Sequence, residues 1–270
     1  MTFIEDLNAI WHKNDSLLCV GLDPDIRKIP SHLCDLETPL FEFNRAIIDR
    51  TADLVCAFKP QVAYYSAAGL ERDLELTVSY IHETCPGIPV ILDAKRGDIR
   101  STAEMYVREA FDRFNVDAVT VNPYMGTDTL EPFLSRSDKG VIILCRTSNP
   151  GAVDIQDLRS DGKTLYETIA YKAANEWNRN GNVLLVVGAT YPEELREIRS
   201  IVGNMPLLVP GIGVRGGDVE SSVTSGKSKE GTGMIINSSR GIIYASNGEG
   251  FAEAARASAM QLRNEINKYR

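Results

Sequence analysis

Four charged residues in this chain have the types and spacing of a reaction site. Asp93, Lys95 and Asp98 form a D-x-K-x-x-D motif in "VILDAKRGDIRST" directly after an apolar run, and Lys59 ends another apolar run in "AFKPQ". Asp93 and Lys95 are two apart in an extended segment, so their side chains share one face. Carboxylates that lie close together are unfavourable unless ammonium groups separate them, and such neighbours shift each other's pKa strongly. An alternating row of these four side chains therefore suits a site that stresses a charged substrate or holds a developing anion.

Each of these charged residues also has a structural interpretation. Asp98 is a plausible N-cap for a helix predicted at 99–114, and Ser101 with Glu104 suits a capping box. The two lysines could be solvated strand ends. Residue by residue both interpretations stay open, whereas the combination of all four favours chemistry.

Two glycine-rich segments near the C-terminus are candidates for phosphate binding. They are "VPGIGVRGGD" (209–218) and "INSSRG" (236–241), and each contains an arginine, Arg215 or Arg240. Loops that follow the last two strands of a barrel often bind phosphate through backbone N–H groups and a short helix N-terminus. An arginine adds charge-assisted hydrogen bonds. The alternative is a pair of tight turns with exposed arginines.

The hydrophobic pattern indicates which elements position these residues. Eight short apolar runs are near-continuous rather than alternating, as in parallel strands that are covered on both faces. The runs are "SLLCVGLD", "ADLVCAFKP", "IPVILDAK", "VDAVTVNP", "GVIILCRTS", "NVLLVVGA", "PLLVPGIG" and "GMIINSSRG". Segments of helical period lie between most of them, at 38–51, 70–84, 99–114, 163–179, 191–202 and 250–268. This alternation predicts an α/β fold, namely a (β/α)8 TIM barrel forming a single domain over 1–270, with an N-terminal helix at about 2–13.

A doubly wound sheet is the competing architecture. It would normally have fewer strands and a G-x-G-x-x-G turn after the first one, but the first run here ends in "GLDPD". In barrels the chemistry sits at the carboxyl ends of the strands. Those ends are mostly polar, small or charged here: Asp23, Lys59, Asp93, Lys95, Asn122, Thr147, Ser148, Gly188, Pro210, Gly211, Ser239 and Arg240.

Composition and charge limit the partners. The formal net charge of -8 argues against nucleic acid or an anionic membrane as the main partner. None of the five cysteines lies in a C-x-x-C pair, and an odd number fits a disulfide framework poorly. No apolar run reaches the roughly 18 residues of a membrane span, and the N-terminus reads as an amphipathic helix rather than a signal peptide. We therefore expect a cytoplasmic protein with reduced thiols and no membrane association.

The ordered set of motifs resembles the orotidine 5'-phosphate decarboxylases. The D-x-K-x-x-D motif follows a strand-end lysine and precedes "PGIG" and "SSRG" loops, and the forms "DAKRGDI", "TVNPYMG" and "RTSNPG" are similar to the longer bacterial branch of that family. The resemblance runs from Asp23 to Arg240. It implies decarboxylation of orotidine 5'-monophosphate to uridine 5'-monophosphate and CO2, the last step of de novo pyrimidine biosynthesis. It also implies a homodimer and a reaction that uses no cofactor and no metal.

The resemblance assigns catalytic roles by position. One subunit's charged network would comprise Lys59, Asp93 and Lys95. The residues that reach into the partner's site would be Asp98, Ile99 and Thr102. The Lys95 ammonium would face C6 of the pyrimidine, stabilise the carbanion left by CO2 and then protonate it.

Substrate-binding roles follow in the same way. Asp23 would bind ribose hydroxyls, and Ser148 in "RTSNPG" would hydrogen-bond the pyrimidine ring. The phosphate would be bound near Pro210 and by Arg240 with the backbone at Ser239.

One position departs from the family's pattern. Arg215 stands where relatives usually have a glutamine that bridges phosphate and base. Arginine can still bind phosphate but cannot accept a hydrogen bond, so the resemblance supports only the phosphate role here. The loop that closes over the substrate is expected in 214–232 rather than in 150–162, because the former follows the seventh strand.

Two other functions compete with decarboxylation of the nucleotide. A metal-dependent sugar-phosphate decarboxylase or aldolase on the same barrel would use the acidic residues as magnesium ligands. A non-catalytic nucleotide-phosphate binding protein would keep the barrel and its phosphate loops, but it would have no use for a carboxylate that repels its ligand.

Overall fold

The structure, a computed structural model, describes residues 2–212 and 218–270. Its eight long strands coincide with the eight apolar runs. They are β1 (Leu18–Leu22), β2 (Ala57–Pro60), β3 (Ile91–Arg96), β4 (Ala118–Val121), β5 (Gly140–Arg146), β6 (Val183–Val187), β7 (Leu207–Pro210) and β8 (Met234–Ser238). A separate two-stranded hairpin, Arg159–Ser160 with Lys163–Thr164, lies in the connection between β5 and β6.

The eight strands form one parallel sheet that closes on itself. Their spatial order is β2, β1, β8, β7, β6, β5, β4, β3. Two isolated parallel bridges, Phe58 with Val90 and Gln61 with Asp93, join β2 to β3 and complete the ring. The predicted (β/α)8 barrel is therefore confirmed. Because all strands are parallel, their carboxyl ends open at the same mouth.

Helices cover the outside of the sheet. The α-helices are α1 (Phe3–Lys13), α2 (Pro39–Thr51), α3 (Val62–Ala68), α4 (Glu71–Thr84), α5 (Arg100–Arg108), α6 (Thr127–Leu134), α7 (Val153–Gln156), α8 (Leu165–Lys172), α9 (Pro192–Val202), α10 (Val219–Gly226), α11 (Arg240–Ile243) and α12 (Phe251–Asn267). The helix predicted at about 2–13 is α1, which begins with a capping box of Thr2 and Glu5. The predicted helices at 99–114 and 163–179 each change from α-helix to a π-helical turn, at 109–113 and at 173–177.

The capping interpretation of Asp98 is wrong. The residue before α5 is Ile99, whose side chain makes no capping hydrogen bond, and Ser101 and Glu104 lie inside the helix, so they do not form a capping box at its start. The Asp98 carboxylate instead accepts a hydrogen bond from the adjacent N–H of Ile99 at 2.8 Å. The carboxylate is therefore not used to start the helix.

Apolar side chains fill both the inside of the sheet and the layer beneath the helices. Every residue of β1, β2, β4, β6 and β8 is buried. All five cysteines are free thiols, and Cys19, Cys56 and Cys145 are buried among the strands. Within residues 2–212 and 218–270, no helix has both the length and the apolar character needed to cross a membrane.

Candidate active site

A row of alternating charges lies at the mouth of the barrel. Lys59 is the penultimate residue of β2 and Asp93 lies in β3, and the Lys59 Nζ is 3.2 Å from one carboxylate oxygen of Asp93, Oδ2. The other oxygen, Oδ1, is 2.6 Å from the Nζ of Lys95. Asp23, which follows β1, has its Oδ1 3.9 Å from the Lys59 Nζ. The order across the mouth is therefore Asp23, Lys59, Asp93, Lys95.

Burial and charge act against each other along this row. Burial alone would lower the pKa of the Lys59 ammonium, but the carboxylates of Asp23 and Asp93 outweigh burial and raise that pKa above its ordinary value. Burial alone would raise the pKa of Asp93, but Lys59 and Lys95 hold it at about 2. Lys59 and Asp93 are therefore both charged at neutral pH. The Lys95 side chain is 47% exposed and Lys59 only 3%, so Lys95 is the ammonium that faces the open mouth.

A neutral residue, Thr120 in β4, holds this row in place. Its hydroxyl donates to Asp93 Oδ1 at 2.9 Å and accepts from the N–H groups of Ala94 and Lys95 at 3.0 and 2.9 Å. Sequence reasoning missed Thr120, because a threonine in the apolar run "VDAVTVNP" looks like an ordinary strand residue. Its only sequence signal is a hydroxyl inside an otherwise apolar strand.

Asp98, Ile99 and Thr102 do not join the row within one chain. The Asp98 carboxylate is engaged with the N–H of Ile99, and within the described residues it forms no ion pair. Ile99 is 49% exposed, and Thr102 lies one helical turn further on and is exposed too. The structure therefore leaves these three residues on an outer surface beside the mouth.

Ser148 lies across the mouth from the lysines. A side chain added at Gly188, after β6, would collide with Ser148, and Gly211 after β7 is also close to it. Gln156 in α7 fixes Thr147, the residue before Ser148. The Gln156 side-chain carbonyl oxygen accepts from the Thr147 N–H at 2.9 Å, and its amide donates to the Thr147 hydroxyl at 2.8 Å. This brace was not predicted, since it joins two residues through an irregular loop.

A buried arginine, Arg146, contacts the connection that follows β5 on its side away from the mouth. Arg146, the last residue of β5, is 1% exposed, and its guanidinium lies over the Tyr191 ring at 4.3 Å. Its Nη1 lies 3.0 Å from Asp157 Oδ1, and its Nη2 lies 3.8 Å from Glu194 Oε1. The strand, the connection after it and the start of α9 are joined at this point.

The predicted phosphate-binding residues lie at the neighbouring strand ends. Gly21 in β1 packs so closely on Ser239 that a side chain at position 21 would overlap the serine, so the ends of β1 and β8 meet here. Ser239 precedes the short helix α11, whose first residue, Arg240, is exposed. Pro210 ends β7 and pairs with Asn237 of β8. Arg215 falls in 213–217, outside the described residues.

The two segments considered for a closing loop differ in their internal contacts. Residues 219–226 of the expected segment 214–232 form helix α10, which buries Val219 and Val223. The alternative, 150–162, is held by the Gln156 and Asp157 contacts described above.

Metal-ligating side chains are dispersed rather than clustered. Across the described parts of the chain, no group of three or more His, Cys, Asp or Glu side chains has a geometry that could hold a metal ion. The acidic side chains nearest the mouth, Asp23 and Asp93, both lie against Lys59.

Comparison with known proteins identifies the family. Residues 16–255 match the model of the orotidine 5'-phosphate decarboxylase / HUMPS family. The chain belongs to this family. Two curated orotidine 5'-phosphate decarboxylases are similar to it over 270 residues, one from Dechloromonas aromatica (strain RCB) at 60% identity and one from Ralstonia pickettii (strain 12J) at 56%. In both cases the alignment covers 100% of this chain and 100% of the relative.

A solved structure within the orotidine 5'-phosphate decarboxylase family has the same fold. The OMP decarboxylase of Leishmania donovani is 40% identical to this chain, with a TM-score of 0.86, and the match covers 100% of this chain and 98% of the other. The resemblance drawn from the motifs is therefore confirmed over nearly the whole length.

Proposed function

We propose that this protein decarboxylates orotidine 5'-monophosphate to uridine 5'-monophosphate and CO2, the last step of de novo pyrimidine biosynthesis. The proposal is supported by full-length similarity to proteins with that name. The observation that carries it is the Lys59, Asp93 and Lys95 row, in which one carboxylate is held ionised between two ammonium groups at the barrel mouth.

The chemistry requires a charge that is held in place before the reaction starts. When CO2 leaves C6, the remaining electron pair lies in the plane of the ring, where the π system cannot delocalise it. A positioned ammonium at that carbon stabilises the carbanion electrostatically and then supplies the proton that replaces CO2. We assign this role to Lys95, because its ammonium is the exposed one of the pair.

Asp93 acts on the ground state of the substrate. Its pKa of about 2 keeps it ionised when a substrate carboxylate is brought beside it. Repulsion between the two carboxylates is relieved as CO2 departs, so the pair destabilises the bound substrate more than the transition state. Lys59, nearly completely buried, compensates the Asp93 charge from the other side.

Four strand ends provide the remaining contacts. The Asp23 Oδ1 is buried and accepts no hydrogen bond from the described residues, which suits it to accept from a ribose hydroxyl. Ser148, opposite the lysines, is assigned to the pyrimidine. Ser239 and Arg240, with Pro210 beside them, are assigned to the phosphate, and the same role is proposed for Arg215.

The active unit is proposed to be a cytoplasmic homodimer. A second subunit is needed because Asp98 lies outside the row of its own chain. Exposed apolar side chains lie in the segments that follow β3 and β4, helix α5 included, where water contact would be unfavourable in a monomer. They are Ile99, Met105, Tyr124 and Met125. Asp98, Ile99 and Thr102 would enter the partner's site on this surface.

The proposal is tested by following orotidine 5'-monophosphate absorbance with purified protein treated with a chelator. Loss of substrate absorbance with one uridine 5'-monophosphate formed per substrate supports it. A metal-dependent sugar-phosphate decarboxylase or aldolase on the same barrel would instead be inactive until magnesium is restored. Nucleotide binding without product would indicate the non-catalytic alternative.

A further inference from the structure

We propose that Thr120 is a positioning residue that aims the Lys95 ammonium, an inference that rests on the proposed decarboxylation. The first observation is the irregular pairing of β3 with β4. Leu92 pairs with Val119 and Arg96 pairs with Val121, so three residues of β3 lie opposite the single residue Thr120. The β3 segment 93–95 is therefore two residues longer than its partner segment in β4, and it contains two of the four charged residues of the row, Asp93 and Lys95.

This bulge removes the backbone partners that the extra residues would have had in a regular sheet. A buried N–H without an acceptor is costly, and bulged residues are usually left unpaired by the ladder. Here the Thr120 hydroxyl oxygen accepts from the N–H groups of both Ala94 and Lys95. One side-chain oxygen therefore replaces the missing backbone acceptors.

The Thr120 hydroxyl uses all of its hydrogen-bonding capacity in these contacts. A hydroxyl has one proton to donate and two lone pairs that accept. Both lone pairs are used by the two N–H groups, so the proton points at Asp93 Oδ1, 2.9 Å away. Thr120 is 1% exposed, which keeps water from substituting for any of the three bonds.

The backbone that Thr120 supports is strained at Lys95. The φ of Lys95 is +47°, in the left-handed region that residues other than glycine adopt only at a cost in free energy. That conformation persists when surrounding contacts enforce it, and the bond from the Lys95 N–H to Thr120 is one such contact. It directs the lysine side chain back to Asp93, where its Nζ meets Oδ1 at 2.6 Å.

Thr120 therefore fixes the two charged residues relative to each other. It occupies Oδ1 of Asp93 together with Lys95, which leaves Oδ2 for Lys59 at 3.2 Å. Without the hydroxyl, the N–H groups of Ala94 and Lys95 lose their acceptor, and the backbone from which the Lys95 side chain projects is no longer held in place. The chemical step should suffer more than nucleotide binding, because binding depends mainly on the strand ends across the mouth.

The test compares Thr120→Val, which keeps the shape and removes the hydroxyl, with Thr120→Ser, which keeps the hydroxyl. A misplacement of about 1 Å at a reacting group can cost about 100-fold in rate. We expect kcat for orotidine 5'-monophosphate to fall about 10- to 100-fold in Thr120→Val, with the Kd of uridine 5'-monophosphate within about threefold of wild type. Thr120→Ser should restore kcat to within about threefold.

A matched control is Thr51→Val. Thr51 is equally buried, but its hydroxyl bonds to the Ile47 carbonyl in α2, on the outer layer of the barrel. Its kcat should be unchanged even though a buried hydrogen bond is lost. Where Thr120→Val does not fold, Thr120→Ala carries the same expectation.

Two results would overturn the inference about Thr120. One is a hydroxyl-free variant with kcat within about twofold of wild type, and the other is a loss of nucleotide affinity in proportion to the loss of kcat. Wild-type protein that leaves orotidine 5'-monophosphate intact would instead overturn the proposed function, and the inference about Thr120 with it.

Discussion

The charge state of Asp93 should be measurable as a pH dependence of stability. Lys59 and Lys95 hold the pKa of Asp93 at about 2 despite burial, against an ordinary value of 3.8. A lowered pKa in the folded state contributes stability that is present above the unfolded value and is lost as the pH falls through the folded value. The gap between the two values corresponds to about 2 kcal/mol at neutral pH. The side chain is only 13% exposed, so solvent screens this contribution little.

The perturbation is Asp93→Asn, an isosteric change that removes the ionisable group. The free energy of unfolding is measured by urea denaturation of both proteins at pH 5.5 and at pH 3.0. With the two pKa values above, about 1 kcal/mol of the Asp93 contribution is lost over this interval. The difference in free energy of unfolding between the wild type and Asp93→Asn should therefore decrease by about 1 kcal/mol when the pH is lowered from 5.5 to 3.0.

A surface carboxylate provides the control for this measurement. Asp112 is exposed and pairs with Arg136 at 2.9 Å, and exposed ion pairs contribute little to stability. The stability difference between wild type and Asp112→Asn should change by less than about 0.5 kcal/mol between the two pH values. A wild-type advantage over Asp93→Asn that is the same at both pH values would refute the claim that the two lysines hold Asp93 ionised.

Three further predictions concern binding energy, the subunit interface and the loop after β5. Orotidine without its phosphate should lose kcat as well as affinity, because binding energy from the phosphate is used to close and order the site; equal kcat for both substrates would contradict this. When inactive Lys59→Ala and Asp98→Ala proteins are mixed and their subunits exchange, about a quarter of wild-type activity should return. Half of the dimers then contain one subunit of each variant, and each of these dimers has one intact site. No recovery would place Asp98 in its own subunit's site. Gln156→Ala should weaken inhibition by uridine 5'-monophosphate but leave inhibition by ribose 5-phosphate unchanged, because the Gln156 brace supports only the Ser148 loop; equal weakening of both would argue for a general loss of structure.

The barrel and the position of its mouth were predictable from the sequence. Near-continuous apolar runs separated by helical periods are typical of parallel strands, and parallel strands place their carboxyl ends together. This is why Lys59, Asp93 and Lys95, distant or adjacent in sequence, could be expected at one edge of the sheet.

The contacts that orient the charged row were not predictable in the same way. Thr120 acts through a bulge between β3 and β4, and a near-continuous apolar run, as in strands covered on both faces, does not show where a bulge falls. Gln156 acts through a loop of irregular backbone. The capping interpretation of Asp98 failed because a short side chain beside a helix start can bond to the adjacent N–H instead, as it does with Ile99.

The proposed mechanism depends on one preorganised ammonium, that of Lys95, for the chemical step. The most direct test is turnover of saturating orotidine 5'-monophosphate by Lys95→Ala, with uridine 5'-monophosphate binding measured by calorimetry on the same preparation. Removing one preorganised charge-stabilising group costs about 100- to 1000-fold in kcat, and Lys95 is also the proton donor. We expect a loss of kcat of at least about 1000-fold with nucleotide binding retained. Turnover within about tenfold of wild type would contradict it.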